Sequence, residues 1–187
     1  GTHQDSHAEV PVVDDARDVL EATDLVPFRA AIDAGVDLIM TGHLSVPALD
    51  PPGQVATLSA PILRTVLRDA MGFRGVVISD SLLMAAVRDA HPTPSAQAAA
   101  LLHAGVDVLL DPPDPEAMVE GLVQAVERGA VSEVQIDEAC SRVWRLKERL
   151  VARHGAAAFG AEGTGPISSY ASPSEHQDLA DGVARRA

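Results

Sequence analysis

Three short apolar runs punctuate the chain, at 36–40 (Val-Asp-Leu-Ile-Met), 75–79 (Gly-Val-Val-Ile-Ser) and 106–110 (Val-Asp-Val-Leu-Leu). Short aliphatic runs without polar alternation predict parallel strands buried on both faces. Between them, apolar positions recur at helical spacing. Residues 14–34 read as helical with a break near 23–27, and Leu25, Phe28 and Ile32 share one face. A helix is expected over 60–70 behind Ser59, then a short one over 82–88 and longer ones over 94–104 and 114–128. Ser132 and Gln135 make an S-x-x-Q capping-box pattern, opening a helix to about residue 154 with Val143, Leu146 and Leu150 on its buried face. Gly35 and Gly72 stand where helices stop, and Gly105 precedes the third run. Beyond residue 155 the chain turns to Ala, Gly and Ser-Pro stretches, the pattern of a linker with a short closing helix at 174–185.

The joins A-G-V-D-L-I-M at 34–40 and A-G-V-D-V-L-L at 104–110 are nearly one phrase, each leading from a helix end into a strand. Repeated units of this kind predict an α/β fold, either a barrel or a doubly wound sheet. Three strands cannot close a barrel, and a (β/α)₈ barrel takes about 250 residues. The pattern therefore reads as part of a larger domain. Composition agrees: 47% of residues are hydrophobic but only 3% aromatic, a supply of small aliphatics for helices packed on a parallel sheet. The net charge of −13, with Lys147 the one lysine against thirteen arginines, leaves no electrostatic footprint for nucleic acid. No apolar run approaches a membrane span. Cys140 has no partner for an internal disulfide, and its place in a helical pattern suggests buried filler.

Candidate chemistry lies in three places. The run at 75–79 stops abruptly at Ser79 and Asp80. Strand carboxyl ends form the floor of the active site in a barrel, so Asp80 either faces a pocket or caps the next helix. His43 follows the first strand, where a pocket residue and a backbone-bonded loop histidine are equally expected. At the N-terminus stand His3, Asp5, His7 and Glu9. No helix signal or further His/Cys cluster completes a metal site from them. Asp5 and His7, two apart, form a pair in which a carboxylate orients an imidazole and raises its basicity. The alternative for them is a solvated polar terminus.

The wording of these segments resembles the catalytic domain of glycoside hydrolase family 3, in its bacterial β-N-acetylglucosaminidase branch. T-x-x-D-S-H at 2–7 resembles the end of that branch's histidine loop. L-x-P-F-x-x-A-I-D-A-G-V-D-L-I-M-T-G-H at 25–43 is similar to the next helix and strand. P-A-L-D at 47–50 and A-T-L-S at 56–59 match the loop beyond. L-R-D-A-M-G-F-R-G-V-V-I-S-D-S-L at 67–82 resembles the nucleophile segment, and A-G-V-D-V-L-L at 104–110 the closing unit.

The resemblance implies a retaining hydrolase that removes terminal β-linked N-acetylglucosamine through a covalent glycosyl-enzyme. Asp80 would be the nucleophile, His7 the general acid/base and Asp5 its dyad partner. His43 and Met84 stand as candidate substrate-binding residues. No metal or cofactor is implied, and the expected partner is a GlcNAc-containing glycan or muropeptide. The family's Lys-His pair, Gly-His-Gly turn and first barrel strands belong ahead of Thr2. Residues 1–154 are thus expected to be the C-terminal part of a (β/α)₈ barrel, about three strand–helix units that need the N-terminal half. Residues 155–187 would lead toward a second domain. The alternatives are a phosphorylase or β-glucosidase of the same family, or a non-catalytic half-barrel.

Overall fold

The computed structural model describes residues 10–88, 91 and 93–155. Its fold is α/β. Strands β1 (Leu38–Met40) and β2 (Val76–Ile78) pair in parallel, with Leu38 opposite Val76 and Met40 opposite Ile78. The third run lies parallel beside β2 but makes only one bridge, Ile78 to Val108. Side chains explain its shortness. Val77 N–H donates to the Asp107 carboxylate (2.8 Å), and Leu110 N–H to the Ser79 hydroxyl (3.0 Å). Main-chain bonds remain between them: Asp107 N–H to Val77 O (2.8 Å) and Ser79 N–H to Val108 O (3.0 Å). Two positions of the ladder are therefore filled by polar side chains, which a reading of apolar periodicity does not register.

The helices follow the expected spacing closely. The stretch 14–34 divides into α1 (Arg17–Ala22) and α2 (Val26–Asp33), and Gly35 sits at φ +82° behind α2. The segment Pro61–Ala70 is a π-helix rather than an α-helix, and Met71 N–H continues its pattern by reaching back five residues to Val66 O. Ser59 Oγ accepts from Ile62 N–H at its start (3.1 Å). The short helix expected at 82–88 is one turn, α3 (Ala85–Arg88). Next come α4 (Pro94–Ala104), capped by Thr93, and α5 (Pro115–Glu127), capped by Asp114. The last is α6 (Glu133–His154), where Ser132 and Gln135 exchange both bonds of the capping box.

The chain divides into two units, Gly1–Leu146 and Lys147–Ala187. In the first, β2 is sealed in a core of Leu63, Leu67, Phe73, Leu82, Leu101, Val106 and Met118. Arg64 secures the end of α4, donating to the carbonyls of His103 (2.9 Å) and Leu102 (3.1 Å) in its last turn. Gly105, at φ +114°, then turns the chain into the third run. Two burial expectations change. Cys140 is exposed, and Ala139, one position earlier, takes the buried place. Phe28 is exposed while Leu25 and Ile32 are half-buried, because α2 has no fully buried residue.

That openness continues along β1, where Leu38 and Met40 are exposed and no second strand pairs among the described residues. An apolar groove of about 290 Å³ runs beside it, lined by Leu25, Phe28, Met40, Leu44, Leu49 and Met71 among others. Gly75 permits the opposite condition at the start of β2. A Cβ there would sit 2.5 Å from the Asp37 carbonyl oxygen and 2.6 Å from the Phe73 ring. Gly75→Ala is expected to cost about 1–3 kcal/mol by overpacking. The denaturation midpoint of the purified variant checks this, and an unchanged midpoint would refute it.

Candidate active site

Asp80 stands at the carboxyl end of β2. The ladder continues to the fully buried Ser79, and the chain then bends out, leaving Asp80 half-buried. Ser81 N–H donates to Asp80 Oδ1 (2.8 Å). Among the described residues no bond reaches Oδ2. Leu82 anchors the bend on its far side, wholly buried, with its N–H on Leu110 O (3.0 Å). Met84 closes the turn through its N–H on Ser81 O (3.2 Å) and is half-buried.

His43 emerges from the end of β1, where Thr41 N–H still bonds Ile78 O (2.9 Å). It is 1% exposed. Its Nδ1 lies 2.8 Å from Thr57 Oγ1 and its Nε2 2.9 Å from the Ser81 carbonyl oxygen. Thr57 Oγ1 also contacts Thr41 Oγ1 (2.9 Å) and the Gly42 carbonyl (3.1 Å). Both nitrogens of His43 are thus engaged within the chain, one of them by a backbone carbonyl. The two strand-end candidates meet at one residue, Ser81, which bonds Asp80 on one side and His43 on the other. Thr57 was not singled out from the sequence. The A-T-L-S phrase that contains it was the available signal.

Asp5 and His7 lie outside the described residues. Among the described residues no group of three His, Cys, Asp or Glu side chains could hold a metal ion. Asp80 and His43 do not line the apolar groove beside β1.

The opposite ends of the strands carry a buried charge cluster. Asp107, its side chain 1% exposed, accepts from Arg68 Nη2 (2.7 Å) and Arg142 Nε (3.0 Å) as well as from Val77 N–H. Arg68 adds a bond to Gly75 O (3.1 Å) and lies over the Phe73 ring, 5.9 Å from its centroid. Burial pulls the Arg68 pKa below its usual value, with Asp107 opposing the shift. This cluster sits away from the Asp80 end and holds the start of β2 to the third run. The sequence showed Asp107 as part of a repeated phrase but not its partners, which come from 39 residues before and 35 after.

The model for the glycosyl hydrolase family 3 N terminal domain matches residues 1–146. Beta-hexosaminidase A of Pseudoalteromonas piscicida is 32% identical over 169 residues, covering 80% of this chain and 28% of that protein. A beta-hexosaminidase of Alkalilimnicola ehrlichii is 37% identical over 150 residues, covering 78% and 42%. A solved family 3 β-N-acetylglucosaminidase from Paenibacillus sp. str. FPU-7 superposes with a TM-score of 0.77 at 37% identity, covering 83% of this chain and 30% of that one. The chain spans less than half the length of each of these relatives.

Proposed function

This chain belongs to glycosyl hydrolase family 3, and from that premise we propose that it carries the nucleophile half of a retaining β-N-acetylhexosaminidase site. The supporting observation is Asp80: a carboxylate at the end of a buried parallel strand, held through one oxygen, with no bond to the other among the described residues. Asp80 Oδ2 attacks the anomeric carbon while His7, oriented by Asp5, protonates the leaving oxygen. The glycosyl ester so formed is hydrolysed when His7 takes a proton from water. An acid/base near neutral pKa suits both halves of that exchange. The substrate is a glycan ending in β-linked N-acetylglucosamine, with muropeptides as one such class.

In this reading the three strand runs are the last part of a (β/α)₈ barrel. The open edge of β1 and the partial span of the relatives favour it. Turnover then requires the preceding barrel strands. Hydrolysis leads over phosphorolysis because the relatives compared are named for hexosaminidase and N-acetylglucosaminidase activity.

The test is the stereochemistry of the first product. With an aryl β-N-acetylglucosaminide and the complete barrel, NMR is expected to show the β-anomer of N-acetylglucosamine first, at a rate unaffected by phosphate. Initial release of the α-anomer would refute the double displacement. Formation of a sugar phosphate would assign the phosphorylase reaction instead.

A further inference from the structure

We infer that His43 is a positioning residue, which locks the turn carrying Asp80 by holding the carbonyl of Ser81. The inference rests on the reading of Asp80 as nucleophile. A carbonyl oxygen offers only lone pairs, so His43 Nε2, 2.9 Å from Ser81 O, carries the hydrogen. Nδ1 rests against Thr57 Oγ1, 2.8 Å away, and that hydroxyl is itself tied to the Gly42 carbonyl (3.1 Å) and to Thr41 Oγ1 (2.9 Å). Thr41, Thr57 and Gly42 therefore fix the plane of the ring and aim Nε2 at Ser81.

His43 and Thr57 are 1% and 0% exposed, so water does not compete for these bonds. Ser81 is the hub they act on. Its carbonyl takes His43 Nε2–H and Met84 N–H, and its own N–H holds Asp80 Oδ1. Backbone freedom is removed on both sides of the Ser81 Cα, and the direction of Asp80 Oδ2 is fixed with it. Displacement at an anomeric carbon depends on that direction, since a misplacement of about 1 Å can cost on the order of 10²-fold in rate.

Two measurements test this. Amide hydrogen exchange on the chain itself reads the turn directly. His43→Leu is expected to speed exchange at the Ser81 and Met84 amides by roughly tenfold, the loss of about one hydrogen bond. His43→Gln, whose side-chain N–H reaches to the Nε2 position, is expected to restore most of the protection. On the complete barrel, His43→Leu is expected to lower kcat by roughly 10- to 100-fold, with KM nearly unchanged and kcat largely recovered in His43→Gln. Thr57→Val, nearly isosteric, gives an intermediate loss and decides the matter where His43→Leu does not fold. Unchanged exchange in both His43→Leu and Thr57→Val overturns the proposal, as does unchanged kcat beside altered exchange. A wild-type barrel that hydrolyses no hexosaminide strikes the hydrolase reading instead, and the exchange data still judge the turn.

Discussion

Asp80→Asn in the complete barrel is expected to lower kcat for an aryl β-N-acetylglucosaminide by roughly 10⁴-fold or more, the scale seen when a covalent nucleophile is removed. The substitution is nearly isosteric, and its amide oxygen still accepts from Ser81 N–H, so the turn keeps its shape. What disappears is the carboxylate oxygen Oδ2, the atom that bonds to the sugar in the proposed reaction. A slow substrate such as an activated 2-fluoro glycoside is expected to leave a glycosyl adduct on the peptide holding Asp80 in the wild type and none in the variant, by mass spectrometry. His7→Ala has a contrasting profile. The loss of general-acid help, on the order of 10²- to 10⁴-fold, falls on substrates with poor leaving groups and shrinks for those that leave unprotonated. Turnover by Asp80→Asn within about tenfold of wild type would remove Asp80 from the mechanism.

The second large effect concerns stability. Asp107→Asn leaves the Arg68 and Arg142 guanidinium groups packed around a neutral amide, with Arg68 only 8% exposed. Breaking a buried ion pair from one side costs about 3–5 kcal/mol. Arg68 is already held below its ordinary pKa by burial, and its Nε has no partner among the described residues. Among the described residues its other acceptors are the backbone carbonyls of Gly75 and Gly105, at 3.1 and 3.4 Å. Chemical denaturation of the purified variant measures the loss. Adding Arg68→Met to Asp107→Asn is expected to recover part of it, because removing the second charge removes its desolvation cost. A loss below about 1 kcal/mol in the single variant would show that water reaches the cluster and screens it.

The sequence was most legible where one local rule decides the outcome. The α4 boundaries at 94–104, the capping box at Ser132 and Gln135, and the stop of β2 before Asp80 each follow from neighbouring residues alone. The third run departed from expectation because Asp107 and Ser79 take ladder positions with their side chains, which depends on residues thirty positions apart. The helix expected over 60–70 is a π-helix at Pro61–Ala70, a distinction that apolar spacing alone does not carry. Cys140 was expected to be buried from its place in a helical pattern, but the face marked by Val143, Leu146 and Leu150 runs back through Ala139, four residues before Val143, and leaves Cys140 beside it and exposed. At the site, Asp80 and His43 were visible as residues that follow strands. Their meeting at Ser81 was not, because 38 residues separate His43 from the carbonyl it holds.

The open side of β1 bears on how such a sequence can travel between genes. A sheet whose edge and apolar flank are covered by neighbouring strands is not a self-contained module. Cut from those strands, it presents Leu38, Met40 and a strand edge that no other strand pairs among the described residues, a template for pairing with any other edge. Fusion or shuffling with a junction between β1 and the strand that covers it is therefore selected against through insolubility, before catalysis is ever tested. Junctions outside the proposed barrel carry no such penalty, so in that reading the segment around β1 and β2 is inherited together with whatever strand completes its edge.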